Sequence, residues 1–187
     1  NIDQELDMWR GIITSRFSVE GVPVTVKTCC HPSRDIIAVS VDSPLIKESR
    51  LFIEIEFPYG SPNKYAADFK NEAAHTSRIV DCSKNSISIL RQLDEDSYFF
   101  NAAFSENCTI KQYGKHLFTL SPLSGDKIEL VSSFTQCIIR EPLPAYANVE
   151  QESIKYWESF WSNGGIVELA ESKDPRALEL ERRIILS

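Results

Sequence analysis

Three large aromatic residues, Trp157, Phe160 and Trp161, lie within two helical turns near the end of the sequence. Aromatic rings of this kind can stack against the apolar C–H face of a sugar ring, as they pack against other apolar surfaces. The pair Gly164-Gly165 that follows would let the backbone approach a bound ligand closely. The same rings could instead pack the helix onto a neighbouring layer as part of a core. The sequence leaves both interpretations open.

Two arginines, Arg182 and Arg183, follow in a later segment of helical pattern. Their acidic neighbours Glu179 and Glu181 carry the opposite charge. Pairing at i, i+3 and i, i+4 on a helix would account for at least one of the two arginines. The sequence therefore predicts a local ion pair in this segment.

The usual catalytic signatures are missing from the sequence. It contains no G-x-S-x-G, no Walker A loop, no G-x-G-x-x-G and no H-E-x-x-H. The densest carboxylate group, Asp94-Glu95-Asp96, falls on a predicted turn, where charged residues are simply solvated. We therefore assign no catalytic residue and expect no cofactor.

Metal chemistry is not expected either. The three histidines lie far apart in sequence and no C-x-x-C occurs, whereas structural zinc sites need closely spaced ligand pairs. Five cysteines cannot all pair with one another. Since free cysteine is among the most buried residue types, we expect most of the five to be small buried hydrophobes.

The overall charge excludes some classes of partner. Lys and Arg number 20 against 27 Asp and Glu, for a net charge of −7. A chain with a net negative charge is repelled by the phosphates of nucleic acids, so we expect no nucleic-acid partner. No apolar run reaches the roughly 18 residues that a membrane-spanning helix needs, so no membrane span is expected. A hydrophobic fraction of 42% is typical of a folded globular protein.

Most of the sequence has the period of two that is typical of strands. In residues 51–57, Leu51, Ile53, Ile55 and Phe57 alternate with one phenylalanine and two glutamates. Short strands with turns roughly every 8–12 residues predict an antiparallel super-β-sandwich. No helices alternate with them, which excludes Rossmann and TIM folds. Residues 65–75 fit either a short helix or a long loop. Strands are predicted over 11–19, 22–27, 35–41, 51–57, 86–93, 98–104, 109–113, 116–120 and 127–134.

The period changes to that of helices after the proline-rich segment 142–144. The first predicted helix has Asn148 as its N-cap and ends at the glycine pair. The second begins at Asp174-Pro175 and runs to the last residue. We therefore predict a mainly β fold with two C-terminal α-helices, divided into a sandwich domain at 1–144 and a linker with helices at 145–187.

The two ends do not have the features of natural termini. The sequence begins at Asn1 without an initiator Met or a signal segment. It ends on the apolar run at residues 184–187, whereas natural termini are usually polar. We expect a piece of a longer protein.

Four short blocks resemble one family of carbohydrate-active proteins. W-x-x-F-W-x-x-G-G at residues 157–165 and L-E-R-R-I-I-L-S at residues 180–187 resemble a segment of the six-hairpin glycosidases. These proteins have an (α/α)6 barrel and are akin to glycoside hydrolase family 65. L-D-M-W-R-G at residues 6–11 and H-P-x-x-D at residues 31–35 resemble the β-sandwich domain that precedes the barrel.

The resemblance implies a non-catalytic N-terminal sandwich domain whose catalytic barrel lies beyond this chain. In that family the acid/base carboxylates lie on the barrel, and inversion is common. The resemblance further implies that Trp157, Trp161, Arg182 and Arg183 approach the sugar cleft or the domain junction. The segment would dock on a downstream helical domain and meet carbohydrate through the parent enzyme. An extracytoplasmic compartment, periplasmic or secreted, is favoured for polysaccharide breakdown. The alternative is a free-standing carbohydrate-binding or protein-interaction module.

Overall fold

The computed structural model describes residues 2–62, 64, 66–139 and 141–186. Strands dominate it, and every strand pair is antiparallel. The strands are β1 (Asp3–Asp7), β2 (Ile12–Val19), β3 (Val22–Cys30), β4 (Ile36–Asp42), β5 (Ile53–Glu56), β6 (Tyr59–Gly60), β7 (Ala67–Asp68), β8 (His75–Cys82), β9 (Ser86–Leu93), β10 (Asp96–Phe104), β11 (Cys108–Gln112), β12 (Leu117–Pro122) and β13 (Lys127–Thr135). The helices are α1 (Pro44–Lys47), α2 (Tyr146–Phe160) and α3 (Ala177–Leu186). The segment Trp161–Gly165 follows α2 directly and leaves helical geometry at Asn163 and Gly164.

The strands form a large sheet, a smaller sheet and a two-stranded ribbon. The large sheet has eight strands in the order β1-β2-β3-β4-β13-β10-β9-β8, and the smaller has three in the order β11-β12-β5. Apolar side chains of the two sheets meet in the main core, including Ile89, Phe100, Phe118 and Leu120. The predicted antiparallel β-sandwich with two C-terminal helices is therefore confirmed.

The opposite face of the large sheet, called here the outer face, is covered in part by α2. Tyr146 and Val149 of this helix pack against Ile12, Ala38 and Val131 in a second core cluster. Strand alternation explains why one sheet supplies two cores, since successive side chains point to opposite faces. Within the described residues, no helix is long and apolar enough to cross a bilayer.

The helix boundaries differ in part from the predicted ones. Helix α2 begins at Tyr146 with Ala145 as its N-cap, and no side chain caps it, so the prediction of Asn148 as N-cap was wrong. Burial of Tyr146 against the sheet outweighs the modest preference for a capping side chain. Helix α3 begins at Ala177, later than the predicted start at Asp174-Pro175, and Asp174 instead closes the turn before the helix, where its Oδ1 accepts from Arg176 N at 2.9 Å. Residue 187 lies outside the described residues.

The cysteines are less buried than predicted. Cys29 and Cys108 are buried, whereas Cys30, Cys82 and Cys137 are exposed, and all five are free thiols. Cys29 and Cys30 lie on opposite faces of β3 because strand side chains alternate. Burial raises the pKa of the Cys29 thiol to about 12, with Glu150 as a smaller cause. This thiol is therefore an apolar core residue rather than a nucleophile.

Candidate functional site

A cleft opens where the first β-hairpin meets the end of α2. The turn at residues 8–11 joins β1 to β2 and carries Trp9, and we call it the Trp9 turn. The cleft lies between this turn with β1 on one side and the C-terminal helical segments on the other. Its volume is about 510 Å³, within the range of about 300–1,000 Å³ that is usual for ligand sites. We call it the aromatic cleft, and its lining includes Glu5, Asp7, Trp9, Trp161, Ile166 and Ile185.

Trp9 is presented to solvent by a tight backbone turn. Gly11 N and Arg10 N donate to the carbonyl oxygen of Asp7 at 2.8 and 3.3 Å. The Oδ1 atom of Asp7 also accepts from Arg10 N at 3.2 Å. Gly11 has φ of +65°, a conformation that glycine adopts without strain. The indole of Trp9 remains 54% exposed.

Trp157 packs beneath the Trp9 turn and does not line the aromatic cleft. Its ring lies so close to Gly11 that a Cβ atom at that position would overlap the indole. The hydroxyl of Ser153, one turn earlier in α2, donates to the carbonyl oxygen of Arg10 at 3.0 Å. Gly11 is therefore required both by its backbone conformation and by the approach of Trp157.

Trp161 forms the opposite wall of the aromatic cleft. Its Nε1 donates to the carbonyl oxygen of Met8 at 2.6 Å, so the indole N–H is already used. The ring centroids of Trp9 and Trp161 are 6.4 Å apart, with an angle of 59° between the ring planes. Trp161 also stacks on Trp157, with centroids 5.9 Å apart. The three indoles thus connect the Trp9 turn to α2.

Arg182 and Arg183 lie on the exposed side of α3 and are absent from the residues lining the aromatic cleft. Nε of each donates to a carboxylate oxygen of Glu179 at 2.8 Å. These bonds, from Arg182 first and Arg183 second, hold the pKa of Glu179 below its ordinary value. The predicted local ion pairing therefore accounts for both arginines.

Sequence reasoning missed Trp9, Glu5 and Asp7 as candidate site residues. In the sequence, the block at residues 6–11 indicates the family resemblance alone. A large aromatic residue on a turn after a polar, exposed strand would have been the useful signal, because such a ring has little core to enter. Its partner Trp161 is far away in sequence, so the pairing itself left no local pattern.

A buried polar cluster lies between the sheets and is centred on Arg91. Arg91 of β9 is fully buried, and His75 and His116 are about 5% and 6% exposed. Ser77 Oγ lies 2.8 Å from His116 Nδ1, and His116 Nε2 lies 3.0 Å from the carbonyl oxygen of Glu72. A serine–histidine contact of this kind could serve a nucleophile, but burial keeps substrate from it. The cluster is therefore structural.

Two other observations limit what the described residues can do. No group of three or more His, Cys, Asp or Glu side chains among them is placed to hold a metal ion. A second cavity of about 360 Å³ lies along β9 and β10 and is lined mainly by small and polar residues, including Ser86, Ser88 and Asn101. Its lining contains no aromatic ring. The aromatic cleft is therefore the stronger candidate for a ligand site.

Comparisons with known proteins bear on the fold. No family model matches the sequence, and no curated protein matches it significantly. Among solved structures, a protein named as a putative kojibiose phosphorylase from the human microbiome is similar, with a TM-score of 0.52 and 10% identity. The similarity covers 86% of this chain and 25% of that one. The chain thus spans about a quarter of the length of that structure.

A family GH92 α-mannosidase from Bacteroides thetaiotaomicron is a more distant match. Its TM-score is 0.34 at 11% identity, covering 84% of this chain and 23% of the mannosidase. The same α-mannosidase in complex with mannoimidazole gives a TM-score of 0.32 at 12% identity, over 81% of this chain and 21% of that one. The phosphorylase comparison carries the conclusion. The chain therefore shares its β-sandwich fold with part of the phosphorylase structure, and the resemblance seen in the sequence is confirmed at the level of the fold.

Proposed function

We propose that this chain is a non-catalytic β-sandwich domain of a glycoside-processing protein, whose reaction takes place on a helical domain that follows it. The observation that carries the proposal is the similarity of fold to the kojibiose phosphorylase, of which the matched part is a quarter. Carbohydrate would then be bound and cleaved mainly by the rest of the protein.

The arrangement of carboxylates supports a non-catalytic role. Glycosidases hold the glycosidic bond between two carboxylic side chains that flank it. Glu5 and Asp7 are the acidic residues of the aromatic cleft, and both belong to β1. Residues at i and i+2 of a strand share one face. The facing wall consists of Trp161, Ile166 and Ile185. Among the described lining residues, therefore, no carboxylate lies across the cleft from the two on β1.

The surface of α3 supports docking on a helical domain. Leu178, Leu180 and Leu186 are 71%, 52% and 69% exposed. The helix itself is held to the chain, since Ala177 is buried and Glu181 Oε2 accepts from Leu169 N at 2.8 Å. A fixed helix with exposed leucines is the usual form of a helix–helix packing surface.

The coding sequence on both sides of this segment gives a direct test. We expect several hundred codons with helical periodicity after residue 187, including the carboxylate pair that glycosidic chemistry requires. A stop codon immediately after residue 187 would contradict the proposal. Turnover of glycosides by the isolated chain would contradict its non-catalytic part.

A further inference from the structure

We propose that the aromatic cleft is a binding site for a neutral oligosaccharide, with Trp9 as its platform and Glu5 and Asp7 as hydrogen-bond acceptors. The proposed function of the domain requires no ligand at this position. The inference therefore goes beyond that function, and although Ile185 of α3 lines the cleft, it does not depend on the exposed leucines of that helix.

The two indoles supply an apolar surface of the right shape. Trp9 is half exposed, and Trp161 meets it at an angle of 59°, so the rings form a platform and a side wall. Because the N–H of Trp161 is bonded to Met8, this indole offers its ring surface rather than a donor. The face of a pyranose ring that carries axial hydrogens packs well on such a surface.

The carboxylates supply the polar part of the site. Glu5 and Asp7 lie at alternate positions of β1 and line the cleft beside the indoles. Sugar hydroxyl groups are donors, and hydrogen bonds to a carboxylate are stronger than those to neutral acceptors. Asp7 uses Oδ1 to fix the Trp9 turn, which holds its side chain in place for a ligand.

The surrounding charges favour a neutral ligand over an organic cation. Aromatic rings beside carboxylates can also bind quaternary ammonium groups. Here Nη1 of Arg16 lies 3.7 Å from Oδ2 of Asp3 and 3.6 Å from Oε2 of Glu5. Lys27 joins Arg16, Glu5 and Asp7 around a neighbouring cavity of about 180 Å³. These cations offset the acidic charge, so a polyhydroxylated neutral ligand is the better match.

The site is held in its shape by buried contacts. Trp157 and Ser153 fix the Trp9 turn from below, and the bond from Trp161 to Met8 ties it to the end of α2. A preformed site loses less conformational entropy on binding than a mobile one.

The three tryptophans of the chain allow binding to be read residue by residue. In the experiment, the indole N–H signals are followed in a ¹H–¹⁵N correlation spectrum and assigned by single Trp→Phe variants, while the full chain is titrated with maltotriose and, separately, cellotriose. We expect at least one of the two trisaccharides to shift the indole signal of Trp9 more than that of Trp161. Trp157, packed beneath the turn, should stay unchanged. No shift with either trisaccharide, or an equal shift of all three signals, overturns the proposal.

Substitutions locate the site. Trp9→Ala should weaken trisaccharide binding by about tenfold or more, as expected for loss of a large aromatic contact, and Asp7→Asn should weaken it less. The matched control is Tyr113→Ala, at an aromatic residue with 67% exposure outside the cleft, which should bind as the unaltered chain does. Tighter binding of tetramethylammonium than of either sugar would overturn the assignment of ligand class. Trp9→Ala should leave docking through α3 intact, so failure of this proposal and failure of the domain proposal are distinguishable.

Discussion

Arg91 and His75 are joined by a short hydrogen bond in the space between the two sheets, where Arg91 Nη2 donates to His75 Nδ1 at 2.5 Å. Since arginine can only donate, Nδ1 of His75 must be an acceptor, and the imidazole is neutral with its proton on Nε2. His116 stacks on His75 with ring centroids 3.7 Å apart, and its Nδ1 lies 3.2 Å from Arg91 Nη1.

Among the described residues, the guanidinium of Arg91 belongs to none of the ion pairs. Nη1 donates to the carbonyl oxygen of Thr76 at 2.8 Å and to the hydroxyl of Ser77, and the guanidinium carbon lies 4.8 Å from the centroid of the Phe57 ring. Neutral acceptors and an aromatic face thus replace an ion pair. A second positive charge on His75 would lie beside Arg91 and would be offset only in part by Glu72 and Asp68.

Acid should therefore destabilise the fold through His75. Burial, followed by His116 and Arg91, lowers the pKa of His75. A group whose folded pKa is below its unfolded value contributes stability above the unfolded pKa, about 6.5 for histidine, and loses it as pH falls through the folded pKa. We expect the urea midpoint to fall between about pH 7 and about pH 5. His75→Gln should reduce this fall.

The control for this titration is His31→Gln, which changes a histidine of the loop before β4 and leaves the buried cluster intact. It should show the same loss of stability in acid as the unaltered chain. An unchanged pH dependence in His75→Gln would show that the buried imidazole does not couple to folding.

Replacing the buried Arg91 should lower the free energy of unfolding more than replacing an exposed arginine does. Arg91→Ala leaves a cavity and deprives His75, Thr76 and Ser77 of a donor, so we expect a loss of about 3 kcal/mol or more in the free energy of unfolding. Arg16, whose side chain is 52% exposed and whose acidic partners are more exposed still, is the matched control. Arg16→Ala should change stability by about 0.5 kcal/mol or less. Equal losses in urea denaturation would contradict a structural role for the buried cluster.

The sequence predicts the strands that have one buried and one exposed face, and it misses the strands that are exposed on both faces. Strand β9 alternates Ile87, Ile89 and Arg91 toward the core with mostly polar residues outward, Leu90 being the exception, and its period of two is plain in the sequence. Strands β1 and β8 are the edges of the large sheet and are mostly exposed on both faces. With no buried side to mark, their residues have no apolar alternation. Residues 66–74 form a loop with one two-residue strand, Ala67–Asp68, and Tyr65 lies outside the described residues.

The candidate site could be predicted only in part, because its residues meet through contacts between distant parts of the sequence. Aromatic spacing identified Trp161, but the contact with Met8 joins residues 153 positions apart. Such a pairing depends on how α2 lies across the sheet, which no local pattern encodes. The inward position of Arg91 was readable from the register of β9, whereas its histidine partners come from other strands and loops.

Gly11→Ala separates steric overlap from backbone strain. Gly11 and Gly21 both have positive φ, +65° and +81°, so alanine strains the backbone at each by about 1 kcal/mol. A Cβ at Gly21 would meet nothing within 4 Å, whereas at Gly11 it would overlap Trp157. We therefore expect Gly11→Ala to cost about 1–3 kcal/mol more than Gly21→Ala, measured by urea denaturation. Similar losses for the two variants would mean that Trp157 moves away at little cost.

The exposed apolar side chains of α3 should make the isolated chain self-associate. Leu180 and Ile184 lie four residues apart on one side of the helix and are 52% and 40% exposed. Exposed apolar surface of this kind favours association in water, so the mass measured by light scattering should rise with concentration. Leu180→Asp together with Ile184→Asp should abolish that rise. The control, Leu123→Asp, replaces a leucine with 68% exposure in the loop after β12 and should leave it unchanged. A chain that stays monomeric at every concentration would count against α3 as a docking surface, because exposed apolar side chains favour association in water.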